Sequence, residues 1–169
     1  MKRQIANPLF VLGALVLLAV PGFGQSARLQ FNLDYLADKA VESVNVTLDK
    51  SLIQLVARFI PDKDPDAARI KNILLGLEGV YVRSFEFDKE GQYSLAEVEK
   101  IRKQLASPGW TRLVEVRSRK TDNVDVFLRQ DGEKILGLAI IAAEPKELTV
   151  VNIVGAIRPE DLSELGGTL

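Results

Sequence analysis

The segment from Trp110 to Val154 constrains the fold more than any other part of the chain. It contains four runs rich in β-branched and apolar residues, which are typical of strands: Arg112–Ser118, Val124–Arg129, Lys134–Ala143 and Leu148–Val154. Asp131-Gly132, between two of these runs, is a hairpin turn signal. Parallel neighbours need a crossover of about a dozen residues or more, and these connections are shorter. The segment therefore predicts four strands joined as antiparallel neighbours.

The run Ile135–Ala143 is apolar at consecutive positions. A strand with one face in water alternates apolar and polar residues, whereas a strand buried on both faces is continuously apolar. We therefore expect this run to be a central strand that is covered on both sides.

The first part of the chain predicts a long helix. From Asn32 to about Ile60, apolar residues recur every three or four positions, which is the helical period. The β-branched residues Val44, Val46 and Thr47 weaken the middle of this helix and leave room for a kink or a break there.

Two further helices and one strand are indicated before Trp110. Asp64 is a favourable N-cap and Pro65 a favourable first helical residue, so a second helix begins there. Val80–Phe87 is rich in β-branched and aromatic residues and predicts a strand. Ser94 begins a capping box for a third helix, Leu95–Ala106.

The element order is therefore expected to be α-α-β-α-β-β-β-β. Partly segregated helices and strands indicate an α+β fold with a mostly antiparallel sheet of about five strands. Two to three helices are expected to pack against one face of this sheet. The other face is left either to the long first helix or to dimerisation.

Residues 1–27 have the pattern of a secretory signal peptide. Lys2 and Arg3 precede an apolar run, Leu9–Val20, and small residues follow Pro21. The run is shorter than the roughly 20 residues that span a membrane. We expect cleavage after about residues 24–27, with residues 28–169 forming a single α+β domain. The protein would then be exported to the periplasm or the extracellular space, with only transient membrane contact through the signal peptide.

The sequence contains no histidine and no cysteine. Histidine is the commonest general base and metal ligand, and cysteine supplies thiol nucleophiles and the lipid-modified residue of lipoproteins. The 22 basic and 23 acidic residues nearly balance, which argues against a nucleic-acid partner, because such a partner requires a basic face. We therefore expect no enzymatic activity, no cofactor, no bound metal and no lipid anchor.

Four charged residues interrupt the predicted strands. Arg83 and Glu86 lie in Val80–Phe87, and Glu115 and Arg117 alternate in a later strand. If these two strands are neighbours, the four side chains form a polar patch. Such a patch is either a partner-binding surface or a set of cross-strand ion pairs on a hydrated face.

Two single residues are further candidates. Trp110 is the only tryptophan, and it is either an exposed anchor for a partner or a core residue between the third helix and the sheet. Asn152 is the one polar residue in Val150–Val154. It is either an edge position facing water or the site of a specific hydrogen bond inside a cavity.

Three blocks of the sequence resemble a known bacterial family. They are Leu77–Asp88 (LEGVYVRSFEFD), Ser107–Trp110 (SPGW) and Gly137–Gly155 (GLAIIAAEPKELTVVNIVG), of which the last is the most specific. Together they resemble the family catalogued as domain of unknown function 4252. The resemblance implies an exported envelope protein of Gram-negative-type bacteria and is compatible with a role in envelope signalling. It implies no activity, cofactor or catalytic residue.

The function expected from the sequence is that of a non-catalytic interaction module. Its partner would be an unknown envelope protein or a second copy of the chain. The alternative is a small-molecule or lipid carrier with a cavity between the helices and the sheet.

Overall fold

The computed structural model describes residues 27–118, 123–158 and 160. The predicted signal peptide, apart from Ala27, lies outside these described residues. After a short 3-10 helix, Asp34–Leu36, the chain forms these elements: β1 (Glu42–Asp49), α1 (Lys50–Arg58), α2 (Pro65–Gly76), β2 (Leu77–Glu86), α3 (Leu95–Leu105), β3 (Trp110–Arg117), β4 (Asn123–Asp131), β5 (Lys134–Ala143) and β6 (Glu147–Ile157).

The six strands form one antiparallel sheet in the order β1-β2-β6-β5-β4-β3. The α+β class and the antiparallel pairing are confirmed. The expected strand number and element order are wrong in one respect, because β1 precedes the first helix and adds a sixth strand. As predicted, β5 lies at the centre of the sheet, next to β6.

The predicted long helix is replaced by β1 followed directly by α1. Val46 pairs with Val82 of β2, so the middle of the predicted helix is an edge strand. Asp49 ends this strand, and its side chain accepts a hydrogen bond from the amide of Leu52 at 2.9 Å. This is N-cap geometry, so the helix begins only at Lys50.

The starts of α2 and α3 agree with the sequence. The side chain of Asp64 accepts a hydrogen bond from the amide of Asp66 at 2.9 Å, and Pro65 is the first residue of α2. Ser94 accepts one from the amide of Ala96 at 3.2 Å at the start of α3. Among the described residues, no helix has the length and apolar character needed to cross a membrane.

One face of the sheet, the closed face, carries the main hydrophobic core. The segment 27–40 and α3 cover it. The side chains of Leu33, Leu36, Val98 and Ile101 are at most 2% exposed. Burial of each such side chain contributes about 1.5–3 kcal/mol. The sheet residues beneath them are Phe85, Phe127, Ala139, Ile141, Leu148 and Val150.

The prediction that the helices pack against one face is wrong, because α1 and α2 lie on the face opposite to α3, at one end of the strands. Ile53 of α1 and Leu74 of α2 pack with Leu48, Val80 and other sheet residues in a smaller apolar cluster. Ile141 of β5 is fully buried on the closed face. Its neighbours Leu138 and Ile140, on the opposite face, are only partly buried. The expected cover on the second face of β5 is therefore partial.

Candidate interaction surface

The four charged residues predicted to form one polar patch are not brought together. Three strands separate β2, which carries Arg83 and Glu86, from β3, which carries Glu115 and Arg117. Arg83 and Glu86 also lie on opposite faces of the sheet, because they are three positions apart in a strand. The condition for the patch is therefore not met, and each residue has separate surroundings.

Arg83 ties the edge of the sheet to the N-terminal segment. Its side chain is 15% exposed and donates from Nε to Asp34 Oδ1 at 2.9 Å. Its NH1 group also donates to the carbonyl oxygen of Val46 at 3.1 Å and to Thr47 Oγ1 at 3.2 Å. Arg83 of β2 therefore has a structural role, because its side chain connects β2 to β1 and to the N-terminal segment.

Glu115 and Arg117 belong to an ion-pair network around Asp125 of β4. Asp125 is 0% exposed. Arg117 NH2 lies 2.7 Å from Asp125 Oδ1, and Arg102 Nε of α3 lies 2.9 Å from Asp125 Oδ2. Glu115 Oε1 lies 2.8 Å from Arg117 NH2 and 3.0 Å from Arg112 NH1. The network joins α3 to the far edge of the sheet.

The charges in this network are balanced. Burial lowers the pKa of Arg102, but the hydrogen bond to Glu99 and the charge of Asp125 outweigh it, so its pKa lies above the usual value. Arg102 is therefore charged and compensates the buried carboxylate of Asp125. Asp125 and Arg102 were missed in the sequence. The available signal was a lone aspartate on the same side of its strand as Phe127.

Trp110 and Asn152 both face the closed side of the sheet. Trp110 packs partly buried against the main core, with the guanidinium carbon of Arg129 6.0 Å from its ring centroid. Asn152 is 0% exposed. Its Oδ1 accepts from the amide of Leu29 at 2.9 Å, and its Nδ2 donates to the carbonyl oxygen of Ala27 at 3.0 Å. Asn152 is thus buried and hydrogen-bonded to the N-terminal segment, whereas Trp110 is only partly buried.

Among the described residues, the opposite face of the sheet carries two rows of side chains that belong to neither hydrophobic cluster, here called the open face. Each row crosses all six strands, because paired residues on adjacent strands point to the same side. Ser84 and Thr149 are its only polar members, and their hydroxyls bond each other at 2.7 Å. The first row consists of Val44, Ser84, Thr149, Ala142, Val124 and Val116. The second row consists of Val46, Val82, Val151, Ile140, Val126 and Val114.

The open face is exposed to solvent. Val44 is 42% exposed, and Val114 and Val116 are each 44% exposed. The inner members are partly buried. Large exposed apolar patches on proteins are often sites of interaction with other molecules.

Three glutamates border the open face. Glu42, Glu86 and Glu147 are cross-strand partners on β1, β2 and β6, in the row that follows Val44. We call them the acidic rim. Like charges placed directly opposite each other repel, and within the described residues Glu42 and Glu86 have no ion-pair partner. The rim thus favours a cationic group in contact with this end of the sheet.

The helix α1 carries a second exposed apolar surface. Ile53 and Ala57 face the sheet and are each 1% exposed. Four further apolar side chains, here called the α1 flank, remain exposed: Leu52 (44%), Leu55 (48%), Val56 (46%) and Phe59 (80%). One side of α1 is therefore apolar well beyond what its own sheet covers.

The pockets among the described residues include the following two. The larger, of about 520 Å³, lies at strand ends and is lined by Ala27, Gly109, Arg129 and Val154 among others. The smaller, of about 230 Å³, lies between Gln30–Leu33 and α3. Neither lies between a helix and the sheet, which is where the carrier alternative places its cavity.

A family model described as "Domain of unknown function (DUF4252)" matches residues 35–165. The matched range contains all six strands and all three helices of the described structure, and it confirms the resemblance seen in the sequence blocks. No curated protein and no solved structure matches the chain. Because the match covers well over half of the 169 residues, the chain belongs to the DUF4252 family.

Proposed function

We propose that this protein is an exported, non-catalytic interaction module that binds its partner through the open face. The observation that supports this most strongly is the pair of uncovered apolar rows across the sheet. Apolar surface gains about 25 cal/mol for each Å² removed from water. A partner that covers these rows therefore gains binding free energy without any change in the domain itself.

The non-catalytic role is supported by the chemistry of the side chains. The chain has neither histidine nor cysteine. The most concentrated group of charged residues, around Asp125, is an internally paired network joining α3 to the sheet. The open face offers methyl groups and two mutually bonded hydroxyls, which suit docking and provide no acid, base or nucleophile in a cleft.

Export is supported by the signal pattern in the sequence, and the contacts of Asn152 are compatible with it. Asn152 binds the backbone of Ala27, the last residue of the proposed signal segment, and of Leu29, just after it. An envelope protein or a second copy of the chain is the partner class that fits this location.

Single cysteines test both parts of the proposal, because the native chain has none. Val44→Cys and Val116→Cys place a thiol on the open face. Leu95→Cys is the matched control, because Leu95 is an exposed apolar residue, 64% exposed, on α3 beside the closed face. Each variant is treated in cells with a maleimide that crosses the outer but not the inner membrane. Each rate is normalised to that of the dilute purified protein.

We expect the Leu95→Cys variant to react in intact cells, and the two open-face variants to be protected there although they react when purified and dilute. If Leu95→Cys reacts only after lysis, the proposed export is wrong. If all three variants react at equal normalised rates in cells, the open face is not a docking surface.

A further inference from the structure

We propose that the open face is covered by a second copy of this chain, and that α1 and α2 of each copy lie on the open face of the other. The two copies are related by a two-fold axis parallel to the sheets and perpendicular to the strands. This inference rests on the proposed function of the open face and specifies its partner.

The argument begins with two apolar surfaces on the same side of one sheet. The open face occupies one end of the strands, towards the acidic rim. The α1 flank lies towards the other end, because α1 follows Asp49 directly at the end of β1. Each copy thus presents both an apolar sheet surface and an apolar helix surface. An interface in which the same patch occurs on both subunits is the commonest way for a chain to associate with itself.

The height of the helices selects the symmetry axis. A helix with its side chains is about 10 Å thick. The helices α1 and α2 therefore project above the open rows beside them, and a flat partner surface that rests on the helices cannot reach these rows. Rotation about an axis perpendicular to the strands reverses the strand direction. It therefore places the helices of each copy over the open rows of the other and fills both gaps.

The other in-plane axis, parallel to the strands, does not fill these gaps. It keeps the helices of both copies at the same end of the strands and leaves the two open faces opposite each other, separated by at least the thickness of one helix, about 10 Å. Only the perpendicular axis brings the α1 flank into contact with the open face.

The available area also requires both surfaces. With strands about 4.8 Å apart and residues about 3.4 Å apart, the open face and the acidic rim cover about 400 Å² in projection. A stable complex buries about 800 Å² of accessible surface on each partner. The open face alone falls short of this size. An interface in which each copy contributes its open face and its α1 flank approaches it.

The charges match the same arrangement. The acidic rim contributes three negative charges from Glu42, Glu86 and Glu147. The segment Lys50–Gly76, which holds α1 and α2, contains five basic and three acidic residues, so its net charge is +2. The perpendicular axis brings this segment of one copy to the rim of the other, twice in each dimer. An axis parallel to the strands would keep both rims at one end of the strands and both helix segments at the other.

Sedimentation velocity with charge-reversal variants of the purified mature protein tests the proposal. We expect the wild-type protein to form a dimer at roughly 100 µM, because interfaces of this size bind in the micromolar range or tighter. Glu86→Lys alters the rim and Arg58→Glu alters α1. Each should weaken the dimer about tenfold, because like charges then face each other. A mixture of the two variants should restore dimerisation, since both contacts in the mixed dimer again pair opposite charges.

Lys103→Glu is the matched control for Arg58→Glu, because both positions are exposed basic residues in the last turn of a helix. Lys103 lies on α3, beside the closed face, and its variant should dimerise like the wild type. The proposed arrangement is wrong if neither charge reversal weakens the dimer, or if mixing the two variants does not restore dimerisation.

A wild-type protein that stays monomeric also overturns the inference. The cysteine experiment in cells then separates the two levels of the proposal. If Val44→Cys is protected in cells although the purified protein is a monomer, the proposed function as an interaction module is retained, and the partner is a different molecule. If Val44→Cys reacts fully in cells, the proposed function itself is wrong.

Discussion

The side-chain oxygen of Asn152 accepts a hydrogen bond from the backbone amide of Leu29 at 2.9 Å, although the two residues are 123 positions apart. The side-chain nitrogen Nδ2 of Asn152 donates to the carbonyl oxygens of Ala27 at 3.0 Å and of Leu138 at 3.3 Å. Because Asn152 lies on a central strand, it fixes the start of the described chain to the middle of the closed face. The segment that follows contributes Leu33 and Leu36 to the core.

Asn152→Ala should release this segment and destabilise the domain. The substitution leaves the amide of Leu29 and the carbonyl of Ala27 buried without partners, and each such loss costs about 1–3 kcal/mol. We expect a fall in the free energy of unfolding of about 2–4 kcal/mol by urea denaturation. Hydrogen exchange should become faster in residues 27–36. Asn45→Ala, at an exposed asparagine of β1, is the control and should change both quantities little.

The same contact predicts the N-terminus of the mature protein. Cleavage after Ala27 would remove the carbonyl that Asn152 binds, whereas cleavage after Gly24 retains it. We therefore expect mass spectrometry of the exported protein to find Gln25 as the first residue. A mature chain beginning at Arg28 would contradict this role of Asn152, and an intact chain beginning at Met1 would contradict cleavage.

Asp125→Ala should be one of the most damaging substitutions outside the hydrophobic core. It leaves Arg102 and Arg117 without the buried carboxylate that they share, and breaking a buried ion pair costs about 3–5 kcal/mol. Arg112→Ala is the matched control. Arg112 Nε is 3.7 Å from Asp125 and its side chain is 41% exposed, so its removal should cost about 1 kcal/mol or less. Equal losses for the two variants in denaturant unfolding would show that the buried carboxylate is not the centre of the network.

Tyr35 provides a prediction about pH. Burial, followed by the hydrogen bond to Glu97, raises the pKa of Tyr35 to about 12. The folded state thus favours the neutral phenol, so this contribution to stability is complete below about pH 10, the usual value, and is lost as the pH rises through about 12. Titration of the phenolate by ultraviolet absorbance should show a late step that Tyr35→Phe removes. A late step of unchanged amplitude in this variant would refute the assignment.

The sequence predicted most of the sheet because its later strands carry clear local signals. The run Lys134–Ala143 and the turn at Asp131-Gly132 specify β5 and its hairpin with β4. β1 was missed because Val44, Leu48 and Leu52 are spaced by four residues, which fits both a helix and one side of a strand. The distinguishing signal was Asp49, a capping residue in the middle of the predicted helix.

The site was harder to predict because it depends on which strands are neighbours. The open face requires the order β1-β2-β6-β5-β4-β3, and β6 lies between strands that are distant in the chain. The partners of Arg83 and Asp125 likewise come from separate elements. Local patterns fix which residues share one side of a strand, but they do not fix which strand lies beside it or what covers that side.

Hydroxyl-radical footprinting of the wild-type mature protein tests the central claim most directly, because it reports the exposure of individual side chains without any substitution. The claim predicts that oxidation of Val44, Val114, Val116 and Phe59 falls when the protein is concentrated through its dimerisation range, while oxidation of Leu95 stays constant. If the four residues are oxidised as readily as before in a sample that is largely dimeric, the dimer forms elsewhere and the open face is not its interface.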